Sequence, residues 1–245
     1  MDDNPAERDI VRQQVPMAAI PEIGQVEGYI SAVDHGGYFE CVKLSGDDLN
    51  RVSMYKGNAA RAQLQSSFSD YGAYLDSLEM KAVIRPFEAV YLGRIAQLTN
   101  KSNQFNLTTR RYTQQELESM VGDKKFITRY GRLADKFGDN GVVAISIGEI
   151  KDEVCELCLW LMSCRVLKRD MELAMMDAVV SAAIARGVKR IRGFYYPTVK
   201  NGMVRDFYRT MGFEKVSEDE KGCAVWELEI ANDYTAKNVH IKVEQ

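Results

Sequence analysis

Beyond residue 100 the apolar positions switch repeatedly between a period of two and a period of three to four. Asn106-Leu107-Thr108 predicts a short strand. Thr113 with Glu116 forms a capping box, in which the hydroxyl takes an orphan backbone N–H and the glutamate reaches back to the cap, and Gly122 ends that helix. Segments 126–136 and 142–150 predict two strands of a hairpin, with Gly138-Asp139-Asn140-Gly141 as turn chemistry between them. Segment 154–166 reads as one long strand, whose alternation puts Cys158, Trp160, Met162 and Cys164 on one face. Segment 171–186 is apolar around almost its whole circumference, which predicts a buried helix ended by Gly187. A strand over 188–196 stops at Pro197. Val204, Phe207, Tyr208 and Met211 then mark one face of a short helix ended by Gly212. Strands over 224–230 and 239–243 complete an order that predicts an α/β layered domain.

Before residue 100 helical signals dominate. Asp47-Asp48 opens a segment running to Phe68, with Gly57 as its weak point. Ser69-Asp70 caps a short helix carrying Tyr71, Tyr74, Leu75 and Leu78. Pro86 interrupts, since it can donate no backbone hydrogen bond, and a third helix carries Val90, Ile95 and Leu98. These signals predict a small helical unit.

Composition narrows the function classes. The 245 residues are 46% hydrophobic and 27% charged, the balance of a globular chain with room for a real core. A net charge of −3 does not favour nucleic acid, whose binders carry a basic footprint. No apolar run reaches the roughly 18 residues of a membrane span, and the acidic N-terminus lacks a signal-peptide core, so a cytoplasmic setting is expected. Five cysteines, an odd number, argue against a disulfide framework. Two histidines, His35 and His240, cannot supply a His-rich metal site, so nucleophilic chemistry must rest on cysteine, carboxylate, tyrosine or lysine.

Cys155 and Cys158 have CxxC spacing, but no second pair completes a zinc site, and residues three apart on a strand face opposite ways. Cys164 stands where the long strand runs toward a helix, followed by Arg165, Lys168 and Arg169. Cations and a helix start both favour a thiolate, the setting of a nucleophile; a buried, inert thiol is the bland reading. The same junction suits an anion, although Lys168 and Asp170 stand where glycines would let a phosphate come closer.

A helix bearing Tyr208, followed by Gly212-Phe213 and a strand, resembles the closing motif of GNAT-type acyltransferases. That resemblance makes Tyr208 a general acid near the leaving thiolate; a core phenol with its hydroxyl at the edge is the alternative. It also implies a pantetheine arm lying between two splayed parallel strands, here 154–166 and 188–196. Five stretches resemble, in order, the C-terminal half of FkbH-like proteins of the HAD-IIIC group. They are Asp2-Asp3-Asn4-Pro5-Ala6-Glu7-Arg8, Asn103-Gln104-Phe105-Asn106-Leu107-Thr108-Thr109-Arg110-Arg111-Tyr112, Phe137-Gly138-Asp139-Asn140-Gly141, Leu161-Met162-Ser163-Cys164-Arg165-Val166-Leu167 and Tyr196-Pro197-Thr198-Val199-Lys200-Asn201.

The resemblance implies a HAD remnant over 1–25, a helical linker domain over 26–99 and a GNAT-like mixed-sheet acyltransferase domain over 100–245. It implies transfer of a glyceryl or similar hydroxyacyl group to the phosphopantetheine thiol of an acyl carrier protein, with the cysteine carrier falling on Cys164. Asn103, Asn106, Thr108, Arg110 and Asn201 become substrate-side residues, and Arg165, Lys168 and Arg169 phosphopantetheine contacts. Asp2 and Asp3 would help hold Mg²⁺ only beside a HAD nucleophile motif, which this chain lacks, so the chain is expected to be part of a longer protein. The family's Gly-x-Gly after the cysteine is here Lys168-Arg169-Asp170, which argues against free CoA more than against a carrier-protein arm. Two other readings stand beside this one: a non-catalytic docking module for the carrier protein and the HAD domain, and a CoA-dependent N-acetyltransferase.

Overall fold

The computed structural model describes residues 4–38, 51–230 and 234–244. Asp2, Asp3, Cys41, Asp47 and Asp48 lie outside them. The chain divides into two compact units, Met1–Arg51 and Val52–Gln245.

The first unit carries α1 (Pro5–Gln14) and α2 (Tyr29–His35). Asn4 caps α1 by accepting from the Ala6 N–H, and Pro5 fits the first helical turn, where no donor is needed. No helix among the described residues is long and apolar enough to cross a membrane.

The second unit is an eight-stranded mixed sheet in the order β6-β7-β5-β4-β3-β2-β1-β8. Its elements are α3 (Arg51–Gln65), α4 (Tyr71–Ser77), β1 (Lys81–Arg85), α5 (Leu92–Lys101), α6 (Gln114–Met120), β2 (Phe126–Asp135), β3 (Gly138–Lys151), β4 (Val154–Met162), α7 (Met171–Ile184), β5 (Arg190–Tyr195), α8 (Phe207–Thr210), β6 (Glu214–Glu218), β7 (Ala224–Glu229) and β8 (Lys242–Glu244). The α/β reading holds. The caps hold too: Asp70 accepts from Ala73 N–H, and Thr113 and Glu116 form both halves of their box.

Helix α7 is the buried helix its composition predicts. Met171, Ala174, Met175, Met176, Val179, Val180 and Ala183 pack with Leu157, Trp160 and Met162 of β4 on one sheet face. Each fully buried Met, Val or Leu among them contributes about 1.5–3 kcal/mol. The opposite face receives Leu92, Ile95 and Leu98 of α5 and Leu117 of α6 against Ile145, Ile147, Leu159 and Leu161.

Four expectations need correction. Residues 81–85 are a strand, not part of a helical unit: β1 pairs antiparallel with β2 and parallel with β8, and the sheet edge supplies the ladder that overrides local helical signals. Val90 is exposed in a 3₁₀ turn, while Leu92 takes the buried place. The β2–β3 turn is Lys136-Phe137, and Gly138-Asp139-Asn140-Gly141 lies within β3, where register shifts against β2 absorb it. The 154–166 strand ends at Met162, and Cys164–Val166 form a 3₁₀ turn.

The parallel pair expected from the acyltransferase resemblance is present. β4 and β5 pair only from Val154↔Arg190 to Leu157↔Gly193 and then part. Residues 105–108 run into the fork so formed. Leu107 N–H donates to Trp160 O at 3.0 Å, Met162 N–H to Phe105 O at 2.9 Å, and Tyr196 N–H to Leu107 O at 2.9 Å.

Candidate functional site

The parting of β4 and β5 brings distant sequence motifs together. Where Leu157 and Leu159 pair with Gly148 and Ile147, Cys158 is the extra residue of a bulge. The bulge removes Cys158 from the face of Trp160 and Met162, contrary to simple alternation. Its thiol instead lines a cavity of about 430 Å³ with Thr108, Arg110, Phe194 and Tyr196. Thr108 Oγ1 donates to the Cys158 carbonyl at 2.8 Å, and the Cys158 thiol donates to Glu156 O at 3.4 Å. Burial pushes the Cys158 thiol up, and the Arg110 guanidinium opposes that rise.

Glu149, Lys151 and Glu156 line the same cavity. Lys151 pairs with Glu156 at 2.7 Å and with Glu149 at 3.5 Å, and Arg192 pairs with Glu156 at 3.1 Å. Lys151 foremost, then Arg192, holds Glu156 below the usual carboxylate range. Arg110 is raised chiefly by the neighbouring Tyr112 phenol, with Cys158 a smaller influence.

Tyr208 stands behind this pocket. Its ring packs on Gly193, where an added Cβ would come within 2.3 Å of it. Glycine at that strand position is what admits the ring. The tyrosine is fully buried, no side chain pairs with its hydroxyl, and burial raises its pKa far above the ordinary phenol value against the opposing pull of the Phe194 backbone N–H. It interacts electrostatically with Cys158, Tyr196 and Cys155.

The expected substrate-side residues separate into two groups. Thr108 and Arg110 reach the cavity. Asn106 and Asn201 are buried in scaffolding: Asn201 Nδ2 donates to Asn106 O at 3.0 Å and to Tyr196 O at 2.9 Å, and its Oδ1 accepts from Thr198 N–H at 2.7 Å. Asn106 Oδ1 accepts from Thr109 N–H at 2.8 Å. Asn103 accepts from Arg111 at 2.8 Å. These amides hold the 105–108 segment in the fork.

The Cys164 turn is a separate place, beyond the end of β4. Cys164 is exposed, not buried. Ser163 caps the turn by accepting from Arg165 N–H. Arg165 is half-buried against Met54, and the Lys168 side chain is exposed. Lys168 and Asp170 hold φ of 61° and 58°. The backbone therefore keeps the left-handed conformation that suits glycine at both positions where the family resemblance has glycine. Tyr71 donates its hydroxyl to Lys168 O. Arg169 is buried, pairs with Asp135 at 3.1 Å and donates to Arg165 O at 2.7 Å. No recorded interaction among the described residues joins Cys164 to Tyr208.

Alternation along the strand therefore did not place Cys158 at the cavity. Its signal was present in the sequence as one half of the CxxC, but the bulge that redirects it depends on pairing with β3.

Solved structures similar to this chain include the ribosomal-protein-S18-alanine N-acetyltransferase of Escherichia coli, at 13% identity and a TM-score of 0.46, over 64% of this chain and 98% of that one. An acetyltransferase of the GNAT family from Streptococcus pneumoniae matches at 15% identity and a TM-score of 0.47, over 62% and 100%. The PaiA N-acetyltransferase of Thermoplasma acidophilum, solved in complex with coenzyme A, matches at 14% identity and a TM-score of 0.45, over 61% and 99%. No protein-family model and no curated protein sequence matches the chain.

Proposed function

We propose that the second unit transfers an acyl group between thioesters, delivering a glyceryl or similar hydroxyacyl group to the phosphopantetheine thiol of an acyl carrier protein. The observation that carries this reading is the fork of β4 and β5, with an open pocket set against the buried Tyr208 hydroxyl. Exchange between two thiols needs a proton returned to the leaving thiolate, and a phenol held protonated by burial is suited to relay it.

Cys164 is the surface thiol of this reading, exposed on its turn with Lys168 exposed nearby and Arg165 half-buried, both cations for the arm's phosphate. Arg169 is withdrawn from that role by Asp135. The 105–108 segment uses backbone groups of β4 and β5 across the fork, so the arm reaches the pocket from its open side by Arg110 and Tyr196 rather than between the strands.

Incubation with an acyl phosphate or acyl thioester donor and the carrier protein, followed by intact-protein mass spectrometry, tests the reading. A protein-bound acyl adduct and an acylated carrier are expected. Absence of both overturns it. Strongly salt-dependent binding of the carrier protein, with turnover of the full-length protein unchanged by Cys164→Ser and Tyr208→Phe, indicates a docking role, and acylation of an amine from acetyl-CoA in place of the carrier thiol indicates an N-acetyltransferase.

A further inference from the structure

We propose that Cys158 is an acyl-accepting thiol in its own right, and that Arg110 selects short acyl groups bearing hydroxyl or carboxylate oxygens. The inference rests on the acyl-transfer reading and moves its covalent centre from the exposed turn to the fork.

Three independent observations converge on it. The bulge in β4 turns Cys158 out of the strand's alternation and into a cavity of about 430 Å³, and Thr108 pins its carbonyl there. That volume is within the usual range for small-molecule clefts and leaves space for both a short acyl chain and the end of its thioester arm. The cavity also holds a cation that is hydrogen-bonded to a phenol, that of Tyr112, and has no carboxylate partner among the described residues. Glu156 is matched by Lys151 and Arg192, and Glu149 by Lys151. Arg110 has no carboxylate partner among the described residues and lies against the Tyr112 phenol and the Cys158 thiol. A guanidinium beside the reacting thiol favours substituents that accept hydrogen bonds. Finally, the fully buried Tyr208 hydroxyl has no side-chain partner; it sits by the backbone of Phe194 and within electrostatic range of Cys158 and Tyr196, all three of the pocket lining.

The step balances without a co-reactant. Cys158 sulfur attacks the thioester carbonyl, a new C–S bond forms, and the C–S bond to the incoming arm breaks. The proton lost by the Cys158 thiol passes to the Tyr208 hydroxyl, which gives its own to the leaving thiolate. Nothing is oxidised or reduced, and Tyr208 ends as it began.

The test uses the glyceroyl and butyryl thioesters of N-acetylcysteamine with the full chain, wild type and the Cys158→Ser, Cys164→Ser and Arg110→Met variants. Trypsin leaves Cys155, Cys158 and Cys164 on one peptide, so fragment-ion mass spectrometry places the adduct. A glyceroyl adduct on Cys158 is expected in wild type and in Cys164→Ser, and none at that position in Cys158→Ser. Glyceroyl is expected to react at least ~10-fold faster than butyryl, the scale of one charge-assisted hydrogen bond, and Arg110→Met is expected to erase the difference. Should Cys158→Ser fail to fold, Cys158→Ala serves, with circular dichroism as the check. An adduct on Cys164 or Cys155 alone overturns the inference while leaving acyl transfer standing. Equal glyceroyl and butyryl rates in wild type overturn the role of Arg110. No adduct at all, together with no carrier acylation, overturns both readings.

Discussion

The side-chain amide of Asn201 donates to the carbonyl of Asn106, 95 residues earlier in the chain, at 3.0 Å. The same amide donates to Tyr196 O, and Tyr196 N–H in turn donates to Leu107 O. One buried amide thus locks the end of β5 to the segment that fills the fork. Asn201→Ala leaves buried carbonyls without donors and is expected to cost about 1–3 kcal/mol in urea unfolding. It also frees the segment locally, so the Leu107 and Met162 amides should lose hydrogen-exchange protection before the rest of the sheet does. Uniform loss of protection across the sheet would contradict this local role.

Asp135 holds two buried arginines together. It accepts from Arg61 at 2.7 Å and from Arg169 at 3.1 Å, with its own side chain wholly buried. Asp135→Asn leaves two guanidinium groups facing a neutral amide. A loss of about 3–5 kcal/mol is expected, measurable by equilibrium denaturation. Asp135→Glu, which keeps the charge, should recover part of that loss.

Tyr208→Phe separates stability from chemistry. The hydroxyl has only the Phe194 backbone beside it to lose, so the change in stability should stay within about 1 kcal/mol. Acyl transfer should nevertheless fall by roughly 10²–10⁴-fold, the usual worth of a proton-transfer group. An unchanged rate would remove Tyr208 from the proposed mechanism.

Glu172, in the first turn of α7, has one carboxylate oxygen buried without a partner, and burial foremost raises its pKa. An acid whose folded pKa exceeds its unfolded value binds more protons when folded. Stability therefore falls as pH rises from the ordinary carboxylate value through the raised one, and the deficit persists above it. Glu172→Gln removes that penalty. The variant should match wild type in acid and exceed it near neutrality, by a few degrees in Tm if relief is about 1 kcal/mol. A variant no more stable than wild type at pH 7 would show that solvent reaches this oxygen.

Lys168 keeps φ of 61° with a side chain attached. Glycine adopts that conformation freely, so Lys168→Gly is expected to stabilise by about 1 kcal/mol in thermal or urea unfolding. If Lys168 also meets the arm's phosphate, the same variant should bind the carrier protein more weakly at low salt and equally at high salt.

Much of this architecture was legible in the chain. The capping pairs at Asp70 and at Thr113 with Glu116 are local, three residues apart, and need no tertiary partner. The all-round apolarity of 171–186 announced a buried helix, because no other environment suits it. The resemblance gave Asn106 and Asn201 only as substrate-side residues; the hydrogen bond that joins them across 95 residues comes from the tertiary structure. Strand β1 escaped because five residues carry little periodicity, and its identity comes from ladders on both sides.

The thiols mark the limit most clearly. Sequence determined which cysteines exist and put Cys155, Cys158 and Cys164 on one long strand, of which the structure keeps the first two. It placed Cys164 near cations and a helix start, features of neighbours along the chain. Whether a thiol faces solvent, core or cavity depends on strand register, and a single bulge against β3 reverses the alternation that sequence alone implies. The pairing of β3 with β4, set by packing over the whole sheet, is what exposes Cys158 to the fork and leaves Cys155 in the core.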